Sequence, residues 1–240
     1  MTADLWVAGV DGCRGGWVVV LRPVARPGDA RVSLVRHFGE ILELPENPTI
    51  IAVDIPIGLP DASFVGGRSC DRAARQPLGA RKSSVFSVPA RAAVAETEYR
   101  KACEIAERHS DPPRRISQQT FNLFPKIREV DALMTPELQN RVRECHPELV
   151  FWRLNGERPL ALPKKPDGGH ALRKNLLLVA GYPSSLFERQ YFPRSSAMDD
   201  DIIDAFACAT AAADMVAGRA LRFPERPPRD SRGLRMEIWG

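Results

Sequence analysis

The sequence has no apolar run approaching the roughly 20 residues that a membrane-spanning helix needs. It also lacks a basic segment followed by an apolar one at Met1-Thr2-Ala3-Asp4, so no secretory signal is read there. A cytoplasmic protein with no membrane partner is the expectation. Cysteine is scarce and scattered. Cys13, Cys70, Cys103, Cys145 and Cys208 are odd in number and form no C-x-x-C pair, which argues against a disulfide framework and against a structural zinc site. Walker A, G-x-S-x-G and H-E-x-x-H patterns are missing as well. There is no internal repeat and no low-complexity tract.

What is present describes a globular chain. Over 240 residues, 44% are hydrophobic and 27% charged, the charges spread throughout, so one sizeable core and a single domain over 1–240 are expected. A net charge of +4 permits a nucleic-acid or nucleotide partner without requiring one.

Residues 5–10 and 17–21 read as the strands of a hairpin turning at Gly15-Gly16. A third strand is expected over 31–38 and a short helix over 38–44. The continuous apolar, β-branched run at 49–53 reads as a buried central strand. Residues 61–140 are richer in Arg, Gln, Ser and Pro, and predict a helical insertion with helices near 91–108 and 126–144. The last third predicts a strand near 141–146, a helix over 169–180 and an Ala-rich helix over 199–217, with a Pro-rich segment at 223–228 leading to a short tail.

Several acids stand where α/β folds place function. Asp11 directly follows the first strand and Asp54 the central one, at the carboxyl ends where such folds bind ligands. Each has an alternative role, Asp11 in starting a turn and Asp54 in an Asx-type turn into Pro56. Asp199, Asp200 and Asp201 open the Ala-rich helix, as the helix dipole favours. Asp204 lies beyond that first turn, with Ala207 and Cys208 as its neighbours three and four residues on. It therefore faces an apolar side that should pack inward, and an ionised carboxylate buried there needs an opposing charge such as a metal ion. Glu148, after Pro147, is a further candidate, with dipole stabilisation at a helix start as the alternative. Carboxylates drawn from three distant segments suit Mg²⁺ or Mn²⁺, which take oxygen ligands.

The stretches Gly9-Val10-Asp11-Gly12-Cys13-Arg14-Gly15-Gly16-Trp17, Asp54-Ile55-Pro56-Ile57-Gly58-Leu59-Pro60, Arg68-Ser69-Cys70-Asp71, Ser83-Ser84-Val85-Phe86, His146-Pro147-Glu148 and Asp200-Asp201-Ile202-Ile203-Asp204-Ala205 resemble a family called domain of unknown function 429. Its members are predicted nucleases with a ribonuclease H-like fold. The resemblance implies an α/β fold whose mixed five-stranded sheet, three antiparallel strands followed by parallel ones, is flanked by helices; the helical insertion after the fourth strand departs from the minimal fold. It further implies a metal-dependent nuclease in which Asp11, Asp54, Asp201 and Asp204 are metal ligands and catalytic residues, joined by Glu148. The last helix is also similar to the Asp-x-x-Asp-Ala pattern of resolvase-type nucleases.

Basic residues bear on the substrate. Arg68, Arg72 and Arg75 share the spacing of one helical face, Arg81 and Lys82 follow, and Lys126 can join them as phosphate contacts. A solvated basic face or salt bridges are the alternative. Aromatics are sparse between 61 and 98, so the substrate is either a nucleic acid or a small phosphate compound. His146 is a candidate base, ligand or structural histidine. The leading expectation is phosphodiester hydrolysis in nucleic acid. Nucleotide or small-phosphate chemistry and a non-catalytic nucleic-acid-binding module are the alternatives.

Overall fold

The computed structural model describes residues 4–162 and 168–240. Strands β1 (Trp6–Cys13) and β2 (Gly16–Pro23) form an antiparallel hairpin. Gly16 makes the turn possible: its φ is +138°, and a Cβ there would stand 2.0 Å from the Val35 carbonyl oxygen. β3 (Arg31–Val35) pairs antiparallel with β2, and α1 (Phe38–Leu42) follows. β4 (Ile50–Val53) returns to the other side of β1 and runs parallel to it.

The chain then leaves the sheet through β5 (Ser63–Phe64), α2 (Ser69–Arg75), α3 (Arg91–Val94), α4 (Tyr99–Arg108), β6 (Ser110–Asp111), which pairs with β5, and α5 (Gln118–Leu133). It re-enters as β7 (Val142–Glu144), parallel to β4. Helices α6 (Pro147–Leu154), α7 (Gly168–Val179) and α8 (Asp199–Val216) follow, and β8 (Arg222–Phe223) pairs with β9 (Ile238–Trp239) near the end. The main sheet has the order β3-β2-β1-β4-β7, mixed and five-stranded, consistent with a ribonuclease H-like layout.

Side-chain alternation splits the core in two. Val7, Val18, Val20, Ile50 and Ala52 pack against α6, α7 and α8. Ala8, Val10, Val19, Ile51 and Val53 point the other way, onto Phe38 and Ile41 of α1 and Phe124, Ile127 and Val130 of α5. Gly9 faces α8, and the absence of a side chain is what lets the helix lie directly on the strand. A Cβ there would be 1.9 Å from the Ala209 nitrogen and 2.2 Å from the Ala205 oxygen.

Several element bounds differ from those read in the sequence. β1 continues past Val10 to Cys13, because Asp11, Gly12 and Cys13 still pair with Val18, Trp17 and Gly16 of β2. The helix expected at 91–108 is two, α3 and α4. Arg128 donates to the Val94 and Glu96 carbonyls at 2.9 and 2.7 Å, occupying acceptors that a continuing helix would use. The helix expected at 126–144 instead spans 118–133 and runs through the exposed Pro125. Ser117 Oγ caps it by accepting from the Thr120 N–H at 3.1 Å, and burial of Phe124, Ile127 and Val130 outweighs the hydrogen bond that proline removes. Among the described residues no helix is long and apolar enough to cross a membrane.

Candidate functional site

Val10 and Val53 are register partners in the parallel pair, and the Asp54 N–H donates to the Val10 carbonyl at 3.0 Å. Both valines point toward α1 and α5, so alternation turns the residues that follow them, Asp11 and Asp54, toward the opposite face, which α8 covers. Adjacent strands lie about 4.8 Å apart. The two carboxylates are therefore neighbours by construction, and both line a pocket of about 210 Å³ with Lys126, Glu144 and His146. Asp11 is nearly buried, at 9% exposure.

Helix α8 carries the third acid on its side toward the sheet, but neither Asp204 nor Asp201 is among the residues that line the pocket. Asp204 is 5% exposed, and Ala205 beside it rests on Gly9. Cys208, one turn further along, has a thiol pKa raised well above the usual value, chiefly by burial and in part by the charges of Asp54 and Asp11. Asp201 accepts from the Met198 N–H at 2.8 Å at the helix start. Burial also raises the Cys13 thiol, with the charge of Asp201 adding to the effect. Protonated thiols are poor ligands, so the carboxylate oxygens, with the His146 ring beside them, are the donors at this end of the sheet, a mainly oxygen set suited to hard cations. Among the described residues no three His, Cys, Asp or Glu side chains form a ready-made metal cluster.

Glu148 stands apart from this group. Its carboxylate is buried against Arg173 of α7, whose Nε and Nη2 donate to Oε1 at 2.8 and 2.6 Å. The dipole alternative fits its position in the first turn of α6, directly after Pro147.

The basic residues also separate. Arg68 reaches the pocket wall, but its guanidinium is committed inside the protein: it donates to Asp71, to Glu144 and to the Ile57 and Gly58 carbonyls. Arg72 donates to the Gly67 carbonyl, while Arg75 donates to the Gly66 and Val85 carbonyls and to Ser87, so both hold loop backbone rather than face the carboxylates. Arg81 approaches Glu148 at 3.9 Å, and Lys82 is exposed. Lys126 is the candidate that α5 delivers beside Asp11. Its ammonium donates to the Gly16 carbonyl at 2.6 Å and lies 4.4 Å from the Trp17 ring centroid. Burial lowers its pKa, with Glu129, Cys13 and Asp11 opposing that shift.

Two further residues complete the wall. Glu144 ends β7 as Asp54 follows β4, so the strand-end signal that marks Asp54 also marks Glu144. Its carboxylate accepts from Arg68 at 2.6 and 2.9 Å and from the Ile57 N–H at 2.7 Å, and burial pushes its pKa up to about 7 despite Arg68. His146 accepts from the Glu148 N–H through Nδ1 at 3.1 Å, which places the proton of a neutral ring on Nε2. The C-terminal segment, read from sequence as a short tail, returns to this edge. The His146 N–H donates to the Trp239 carbonyl at 3.0 Å, and Ile238 lines the pocket.

No curated protein and no solved structure is significantly similar to this chain. One family model does match, the family described as Protein of unknown function (DUF429), and it covers residues 9–229, from the strand bearing Asp11 to beyond α8. With most of its length inside that match, the chain belongs to this family.

Proposed function

We propose that this protein is a metal-dependent phosphodiesterase that hydrolyses nucleic acid at the Asp11–Asp54 pocket. The observation that carries the reading is the placement of these two carboxylates on adjacent parallel strands, each directly after the last register pair Val10–Val53, in one pocket with Lys126 and His146. Asp11 and Asp54 would hold Mg²⁺ or Mn²⁺, with Asp204 and Asp201 adding negative charge from α8. Two carboxylates are enough for such a site, because Mg²⁺ keeps several waters and takes further ligands from substrate phosphates rather than from a closed protein cage. When bound, the ion supplies an acidified water and offsets charge on the phosphoryl oxygens. Lys126 adds a positive charge for the phosphate. His146, with its ring tautomer set by the Glu148 N–H, is placed to exchange a proton at Nε2. Arg68 and Glu144 hold the wall of the pocket and do not contact substrate.

The limited volume of the pocket, about 210 Å³, favours a second reading in which the substrate is a small phosphate ester. Cleavage of labelled RNA, DNA and branched DNA, alongside small phosphodiesters, with Mg²⁺, Mn²⁺ or chelator separates the two. Nucleic-acid cleavage that needs the metal and falls at least ~100-fold in Asp11→Asn and Asp54→Asn is expected, since losing even an outer-shell partner of a metal costs about 10–100-fold. Cleavage unaffected by Asp11→Asn refutes the assignment.

A further inference from the structure

A second cleft, of about 250 Å³, opens beside the start of α8. Just over half of its lining comes from residues 187–192 and Arg194, a segment in which arginines alternate with aromatic rings. The aromatics that are sparse in the insertion are concentrated here. Phe187 is anchored in the core, 4.9 Å centroid to centroid from Phe206, and Lys174 of α7 donates to its carbonyl at 3.3 Å. Tyr191 and Phe192, half-buried rings 6.1 Å apart and inclined at 39°, also rest on the core, and their remaining exposed area faces the cleft that they line. The Tyr191 hydroxyl donates to the Leu186 carbonyl at 2.8 Å, which holds its ring in place. Arg189 and Arg194 are exposed on the rim.

The cleft shares no lining residue with the candidate catalytic pocket and is linked to it through α8 and the hairpin turn. Asp199 and Ile203, which line it, belong to the first turns of the helix that carries Asp204. Two residues beyond Arg194, the Ser196 carbonyl accepts from the Gly15 N–H at 2.8 Å, tying the segment to the hairpin turn four residues after Asp11.

We propose that this cleft is a subsite for an unpaired stretch of nucleic acid next to the scissile bond, its bases stacking on Tyr191 and Phe192 and its phosphates meeting Arg189 and Arg194. Rings interleaved with cations suit a single strand, whose bases are available for stacking; in a duplex the same bases are stacked on one another, and the rings would have nothing to bind. The proposal deepens the nuclease reading and rests on it for the identity of the ligand.

Fluorescence anisotropy of a short labelled single strand, and of the same sequence as a duplex, tests it in chelator, where metal-dependent cleavage is stopped. The single strand is expected to bind more tightly than the duplex, and Tyr191→Ala or Phe192→Ala to weaken it by about 10-fold or more. Arg189→Ala with Arg194→Ala, both on the surface and so harmless to folding, should make the log–log salt dependence shallower by about 1.4. Wild-type-like affinity in the ring variants and in the arginine variant, with thermal unfolding unchanged, overturns the subsite and leaves the nuclease reading standing. Binding lost in those variants, with no cleavage under any metal, supports the subsite and removes the nuclease reading. No binding of the single strand by the wild type in chelator overturns the subsite, and the cleavage assay with Mg²⁺ or Mn²⁺ decides the nuclease reading separately.

Discussion

Arg68 neutralises two buried acids at once, with side-chain exposures of 1% for Arg68, 1% for Asp71 and 6% for Glu144. Removing it strands two buried carboxylates without their counter-charge, the costly way to break a buried ion pair. Arg68→Met is therefore expected to destabilise the fold by about 3–5 kcal/mol, read as a lower urea midpoint. The trio also carries a pH dependence. The groups facing Glu144 are Arg68, Asp71 and the Ile57 N–H, and burial dominates, with a pKa of about 7 when folded. An unfolded Glu titrates near ~4.3, so the folded state holds the proton more tightly. The stabilisation from this group is complete below that lower value and is lost as pH rises through about 7. Glu144→Gln should flatten the fall in thermal stability over that interval; an unchanged pH profile would place the titration elsewhere. Sequence marks Arg68 as basic and Asp71 as near it, but pairing both with a glutamate 76 positions away requires the crossover between β4 and β7 to close.

At the scale of elements, α8 and β1 depend on one missing side chain. Gly9→Ala puts a Cβ within 2.2 Å of two backbone atoms of α8, which a helix cannot relieve by a side-chain rotation. Overpacking of this kind costs about 1–3 kcal/mol, so a melting temperature lower by roughly 2–12 °C is expected by calorimetry. The same shift displaces Asp204 from the face where Asp11 and Asp54 project, and metal-dependent activity should fall with it. β1, β2, β4 and α8 are legible in sequence because their apolar residues recur at strand or helix period over enough positions. α5 is not, because Pro125 reads locally as a helix start while the buried face of Phe124, Ile127 and Val130 keeps the helix continuous across it. The α3–α4 break is invisible for a similar reason. The Arg128 that takes the Val94 and Glu96 carbonyls comes from α5, more than 30 positions away.

At the scale of the whole molecule, the last residues close the structure. The side chain of Asp230 is fully buried, accepts from the Leu59 N–H at 3.0 Å, and pairs with Arg91. Through it the C-terminal segment is bolted to the loop that follows Asp54 and to the start of α3. Asp230→Ala is expected to speed hydrogen exchange at the Leu59 amide and to lower global stability by about 2–4 kcal/mol, since it also leaves Arg91 with fewer partners. Exchange at Leu59 no faster than in the wild type would show that the segment merely lies alongside.

The sequence by itself determined the α/β class, the order of the principal strands, the inward face of α8 and the family, because each is carried by local periodicity or by short motifs whose residues are contiguous. Only the tertiary structure decided which charged groups share a pocket. It set Lys126, Glu144 and His146 beside Asp11 and Asp54, and it turned Glu148 and Arg68 into internal ion pairs. Charge partnerships are made between segments far apart in the chain, and burial selects among candidates that composition and spacing leave equivalent.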